Sequence, residues 1–258
     1  MLKKIRASLR LLFFAVGSLY YIFRYLIKAT LLGNDLDRAL RIRKQWFENI
    51  CWGLGVQIET FGDLPQDGGL LISNHRSYFD PIIVLSQVLA LPVGKIEIKD
   101  WPIIGWGAQV SGSIFVDRKS KDGRQQARQD IKDTLQKGYC VMNYPEGTTH
   151  TLPYTKSFSP GMFKDAALEN FKIYPIALEY QQTNDAWVGD DTFIRHFMEC
   201  FGKKETLIKI SYGKALLGND AEHLILESKK FIDFELKKIR TNWHQENLLK
   251  NEAKKMVS

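Results

Sequence analysis

His75 and Asp80 stand five residues apart in Asn74-His75-Arg76-Ser77-Tyr78-Phe79-Asp80-Pro81, immediately after the apolar run GLLIS. In a continuous helix that spacing would point the two side chains roughly 140° apart. A loop that folds back can instead set the carboxylate against the imidazole. The carboxylate would then fix the ring's tautomer and stabilise its charged form, leaving the other ring nitrogen to take a proton from a hydroxyl. Read alone, Asp80 is a helix cap ahead of Pro81, which suits a first helical position, and His75 is a turn residue.

Two more polar loops add weight to the pair. Asp117-Arg118 follows the apolar SIFV, and Pro145-Glu146-Gly147-Thr148-Thr149 follows CVMNY. Arg118 can grip a phosphate with two parallel hydrogen bonds, Gly147 permits close backbone approach, and Thr148 and Thr149 offer hydroxyls. Singly these are a surface cation and an ordinary turn. Together, three polar loops at the carboxyl ends of strands describe a site on one sheet edge. Other chemistries lack their signatures. There is no Gly-x-Ser-x-Gly elbow, no glycine-rich phosphate loop, and no metal-ligand spacing among His150, His196, His223 and His244, which read as surface or helix-face residues. Cysteines at 51, 140 and 200, widely spaced, build neither a disulfide scaffold nor a zinc module, and fit reduced thiols in a cytosolic compartment.

The elements that must position these loops follow from hydrophobic period. VQIETF (56–61), GLLIS (69–73), KIEI (95–98), SIFV (113–116), CVMNY (140–144), IYPIALEY (173–180) and LIKISYG (207–213) read as strands. PIIVLSQVLA (81–90), RQQARQDIKDTLQKG (124–138) and PGMFKDAALEN (160–170) read as the helices between them. The alternation predicts an α/β fold, a mostly parallel central sheet flanked by helices. Leu224, Ile225, Phe231, Ile232, Leu236 and Ile239 mark a closing amphipathic helix with a polar, frayed tail. Most tryptophans read as core, with Trp101 and Trp106 the two that could instead line an apolar groove.

Residues 1–34 hold Lys3, Lys4, Arg6, Arg10, Arg24 and Lys28 and no acidic side chain, so most of the net charge of +7 is local. Between these charges runs LLFFAVGSLYYIF (11–23), too apolar for a nucleic-acid arm. As a helix it reaches roughly 20 Å against a ~30 Å hydrocarbon core. This predicts a helix inserted shallowly in one leaflet, or a tilted marginal span, with Arg10, Arg24 and Lys28 reaching lipid phosphates and Tyr20, Tyr21 and Tyr25 near the interface. The competing outlines are a signal peptide, for which no small-x-small cleavage site follows, and a buried soluble helix. A second amphipathic helix, about 35–53, opens at Asn34 or Asp35 and could lie on the same surface.

Four blocks in this order resemble the glycerolipid acyltransferase family, specifically its lysophosphatidate (1-acylglycerol-3-phosphate) acyltransferases. His75 to Asp80, preceded by Asn74, resembles the family's His-x4-Asp motif; Ser113 to Arg118 resembles its Gly-x-Ile-Phe-Ile-Asp-Arg block; Tyr144 to Thr148 resembles Phe-Pro-Glu-Gly-Thr; and Ile173 to Ala177 resembles its Val-Pro-Val segment. The resemblance implies acyl transfer from acyl-CoA or acyl carrier protein to the free hydroxyl of a lysophospholipid, lysophosphatidate first, with no cofactor, no metal and no nucleic acid. It assigns His75 as general base and Asp80 as its orienting partner. It assigns Asn74, Arg118, Glu146, Gly147, Thr148, Thr149 and Pro175 to substrate binding, with Arg118 toward the acceptor phosphate. Residues 1–54 would then be a helical membrane-anchoring segment and 55–258 the α/β acyltransferase domain, at the cytoplasmic face of a membrane. Removing 1–33 is expected to cost membrane association more than fold. One departure bears on the acceptor: many members place Arg and Ser after Glu-Gly-Thr, where this chain has Thr149 and His150. A different lysophospholipid or a lyso-aminolipid is the alternative acceptor, and an inactive peripheral membrane-binding module is the alternative of another class.

Overall fold

The computed structural model describes residues 1–257, with side chains described through Leu249. An apolar helix, α1 (Leu2–Leu32), and an amphipathic one, α2 (Leu36–Leu54), lead into strand β1 (Val56–Phe61). There follow β2 (Gly69–Ser73), α3 (Asp80–Leu85), β3 (Ala90–Lys95), α4 (Ile104–Val110), β4 (Ile114–Val116), α5 (Lys121–Gln136), β5 (Cys140–Asn143), α6 (Gly161–Glu169), β6 (Ile173–Tyr180), α7 (Phe193–Cys200), β7 (Thr206–Tyr212) and α8 (Ala221–Val257). Among the described residues the strands form one sheet in the order β1-β7-β6-β2-β5-β3-β4. Every pairing is parallel except that of β6 with β7, so β7 and β1 run against the other five.

Side chains alternate across each strand and feed two cores. Leu71, Met142, Ile176 and Leu178 face one way and pack with Phe14, Trp46, Ile50, Phe79 and Phe197 from α1, α2, the turn into α3, and α7. Leu70, Ile72, Val141 and Ala177 face the other way and meet Ile131, Phe163, Ile232 and Leu236 from α5, α6 and α8. Burial on both faces is what parallel strands require, and it explains why they read as near-continuous apolar runs.

Several expectations need correction. The apolar stretch 81–90 is not one helix: α3 ends at Leu85, and Ala90 already begins β3. KIEI is not a strand either, since β3 ends at Lys95 and Ile96–Asp100 form a 3-10 turn. α4 and α7 are additional helices. Asp35 is the cap of α2, accepting from the Arg38 amide at 3.2 Å. α1 is a single helix of 31 residues, about 46 Å long. Arg10 donates to the carbonyls of Phe201, Lys203 and Lys204, so it is tied to the body of the protein and does not extend toward lipid phosphates as expected; Arg24 donates to Gln45 at the surface. Trp106 is 61% exposed and is not a core residue. The polar, frayed tail falls on 250–258, outside the described side chains.

Candidate active site

The loops after β2, β4 and β5 emerge at one edge of the sheet because those strands are parallel. The β2 loop does fold back. His75 Nδ1 lies 2.8 Å from Asp80 Oδ2, and the same oxygen accepts from the backbone amides of Arg76 (2.6 Å) and Ser77 (2.9 Å). Asp80 Oδ1 accepts from the Tyr180 hydroxyl at 2.8 Å. Burial, reinforced by the Asp80 charge, holds the Tyr180 phenol well above its ordinary pKa, so it stays a donor. Asp80 therefore lies within α3 and is occupied by the preceding loop, His75 and Tyr180; it is not the expected cap of its own helix, a position held by Phe79.

This arrangement sets the chemistry of His75. A carboxylate can only accept, so Nδ1 carries the proton and Nε2 is left with a free lone pair. The ring stacks on Tyr144, centroids 4.0 Å apart and 20° between planes. With Nδ1 engaged and one face covered, the imidazole has one orientation. Its side chain remains 20% exposed while Asp80 is fully buried, the division of labour expected of a base and the group that orients it.

His75 opens on a cavity of about 380 Å³. Arg118, Gly147, Thr148 and Thr149 line it together with His75, and Lys95 lies there as well. Pro92 and Val93 of β3, Trp46 and Arg43 of α2, and Ser111 line the same cavity. Trp101 lines it, whereas Trp106 does not. Arg118 Nη1 donates to the Gly147 carbonyl at 2.7 Å, which ties the second loop to the third. Gly147 takes φ +71°, a left-handed conformation that suits glycine.

Three of the expected substrate-binding residues are occupied elsewhere. Asn74 is fully buried, and its amide clamps β6 by donating to the Leu178 carbonyl (2.8 Å) and accepting from the Leu178 amide (2.9 Å). Both polar atoms of the side chain are thus engaged with β6. Glu146 Oε1 accepts from the His75 backbone amide at 3.1 Å, and Oε2 accepts from the Lys156 amide at 2.7 Å and from His150, so this carboxylate braces the loop. Pro175 is buried inside β6, level with Ile72, its ring against Gly213 and away from the cavity. His150 is buried in the loop after β5, neither a surface nor a helix-face residue, whereas His196 lies on the buried face of α7. Arg76, Glu179 and Tyr180 are functional candidates that motif reading missed. Among these only Arg76 had a signal, a cation inside the His-x4-Asp stretch; His150 stood out in the sequence only as a departure after Glu-Gly-Thr.

A family model described as Acyltransferase matches residues 55–179. The lyso-ornithine lipid O-acyltransferase of Pseudomonas aeruginosa is 28% identical over 162 residues, covering 60% of this chain and 62% of that protein. The 1-acyl-sn-glycerol-3-phosphate acyltransferase of Neisseria gonorrhoeae is 29% identical over 129 residues, 49% of this chain and 51% of its own. The chain thus spans about half to two thirds of these relatives' length. The crystal structure of the 1-acyl-sn-glycerophosphate (LPA) acyltransferase PlsC from Thermotoga maritima shares the fold, with a TM-score of 0.68 at 16% identity over 92% of this chain and 98% of that one. Over residues 55–179 the chain is therefore similar to the glycerolipid acyltransferases, and its fold is that of the Thermotoga maritima enzyme.

Proposed function

We propose that this chain transfers an acyl group from an acyl thioester, on coenzyme A or acyl carrier protein, to the free hydroxyl of a lysolipid. The observation that carries the reading is the His75–Asp80 pair opening on a mostly apolar cavity. His75 Nε2 takes the hydroxyl proton as the oxygen attacks the thioester carbonyl. Asp80 balances the imidazolium, and that proton then leaves with the thiolate. No acyl-enzyme intermediate is needed, because the attacking oxygen belongs to the acceptor. The apolar cavity suits a hydrocarbon chain, and the cations Arg118 and Lys95 among its lining residues suit an anionic head group. Residues 1–54 act as the membrane-anchoring part and 55–258 as the acyltransferase domain, at the cytoplasmic face of a membrane.

Lysophosphatidate is the acceptor of first choice, with Arg118 on its phosphate. A second reading, a lyso-aminolipid, is favoured by Thr149: it lines the cavity where many family members carry a cation, and leaves one charge fewer for a phosphate. Relatives named for a lyso-ornithine lipid agree with it. The test is thioester-dependent acylation in mixed micelles with lysophosphatidate, lyso-ornithine lipid and a panel of other lysolipids, comparing wild type with His75→Ala. One acceptor is expected to be acylated, and the variant is expected to lose about 10²–10⁴-fold in kcat. No transfer to any acceptor, alongside intact vesicle binding, would give the lead to an inactive membrane module.

A further inference from the structure

Behind the His75–Asp80 pair lies a buried chain of charged and titratable side chains. From α8, Arg240 donates through Nε and Nη2 to Glu179 Oε2 (2.9 and 2.6 Å). Arg76 donates through Nε and Nη2 to the two oxygens of the same carboxylate (3.2 and 3.1 Å). Its remaining terminal nitrogen, Nη1, reaches His150 at both the carbonyl (3.0 Å) and ring Nδ1 (3.1 Å). His150 Nε2 in turn meets Glu146 Oε2. The chain touches the reacting pair at two points, on either side of His150: Arg76 through its amide on Asp80, and Glu146 through the His75 amide. The His150 amide also donates to the His75 carbonyl at 3.3 Å.

The surroundings of His150 permit one protonation state. Nδ1 faces two groups that can only donate, Arg76 Nη1 and the Leu152 amide at 3.2 Å, so it must be the acceptor. Nε2 faces a carboxylate and must carry the hydrogen. We infer that His150, as the neutral Nε2–H imidazole, is a positioning residue for the reaction: it joins Glu146 to Arg76 and so keeps His75 and Asp80 facing each other. The inference rests on the acyl-transfer reading for what the pair does. A second proton would enter at Nδ1 and set an N–H against two donors, and the loop from Glu146 to Lys156 would have to shift, taking the His75 amide's partner with it. The charged groups around the ring are Glu146 and Lys156 on its own loop and Arg76 from the β2 loop, with Glu179 of β6 and Arg240 of α8 behind Arg76. Burial lowers the His150 pKa against the opposing pull of Glu146, so the ring is neutral at pH 7 and takes its proton only on acidification.

Two substitutions separate the ring's two contacts. His150→Gln can still donate toward Glu146, His150→Asn can still accept from Arg76, and neither titrates. Both are expected to lower kcat about tenfold or more at neutral pH, in line with the sensitivity of catalysis to small misplacement, with donor and acceptor KM little changed. The fall in activity below about pH 6.5 should be one proton less steep in the variants than in wild type. Unchanged kcat and an unchanged acid limb would overturn the inference. Ring-nitrogen NMR of the wild-type chain, selectively labelled at histidine, covers the case in which neither variant folds. An unprotonated Nδ1 on His150 at neutral pH, and a His75 ring that responds as His150 titrates, are the expected signals; an Nδ1–H or charged His150, or an indifferent His75, would overturn the inference. This spectrum needs no substrate. Both signals in a protein with no transferase activity would therefore uphold the positioning contact and sink the acyl-transfer reading alone.

Discussion

His150 and His196 are both buried, and in both cases burial is the largest influence and pulls the pKa below the ordinary histidine value. The unfolded chain returns each to about 6.5. On acidification the unfolded state therefore binds protons first, and the linkage relation makes stability fall with pH. The contribution is fully present above about pH 6.5 and is lost progressively toward the lowered folded-state values. Urea midpoints are expected to decrease between pH 7.5 and 5.5, and the His150→Gln/His196→Gln double variant should flatten that slope; an equal slope in both proteins would contradict the assignment. At this scale the sequence was legible where contacts are local. The His75–Asp80 pair closes over five residues, and its chemistry can be read from residue types and spacing. Tyr180 on Asp80, Arg76 on Glu179 and Asn74 on Leu178 span 100, 103 and 104 residues. Such partners depend on which strand lies beside β2, and no local pattern states that. For the same reason the resemblance assigns Glu146 and Asn74 to substrate binding, although the Asn74 amide is engaged with backbone and the Glu146 carboxylate with backbone and His150.

Strands β1, β2 and β6 carry uninterrupted apolar or alternating patterns and were legible to the residue, while the stretch from 81 to 110 was not. Pro92 and Gly94 disfavour a strand in ALPVGK, yet β3 forms because β5 and β4 pair with it on both sides, a tertiary effect that overrides local preference. Helix α4 is seven residues long, too short to show a period. The packing of α1 on α2 has a sharper local determinant. A Cβ on Gly17 would stand 2.1 Å from the Trp46 ring, and Trp46 is itself held by its indole N–H on Ser18 (3.2 Å) and by stacking on Tyr21. The two helices approach because position 17 has no side chain. Gly17→Val should force them apart and destabilise the fold by about 1–3 kcal/mol, read as a lower thermal midpoint. Trp46 also lines the cavity, so the same variant should change the preferred acyl chain length. A variant as stable as wild type would show that Trp46 has another rotamer available.

Over the whole molecule the question is how α1 meets a bilayer. Length and composition alone would let it cross one. Its outward face carries Leu2, Ile5, Leu9, Leu12, Val16, Tyr20, Phe23 and Ile27, all exposed and spaced three or four apart, a continuous stripe along one side of the helix. The opposite side is committed to the body: Ala7, Phe14 and Ile22 are buried, and Arg6 and Arg10 donate to carbonyls at Phe201 to Lys204. A helix pinned along its length cannot stand upright in a membrane without breaking those contacts, so we take the stripe as lying flat in one leaflet with the cavity behind it, α1 residues Phe14, Ile22 and Tyr25 forming part of the cavity wall. The packing also bears on the expectation that losing residues 1–33 costs membrane association more than the fold, because that deletion strips the buried Phe14 and Ile22 along with the stripe. A triple Leu9→Asp, Leu12→Asp, Val16→Asp variant tests the stripe alone. Each apolar side chain withdrawn from lipid forfeits up to ~1.5–3 kcal/mol, so binding to anionic vesicles should fall at least about tenfold. The thermal midpoint should hold, since all three positions already face outward. Activity on lysolipid in bilayers should drop with binding, and activity on the same lysolipid in detergent micelles should survive. Unchanged sedimentation with vesicles would place the membrane contact elsewhere on the molecule.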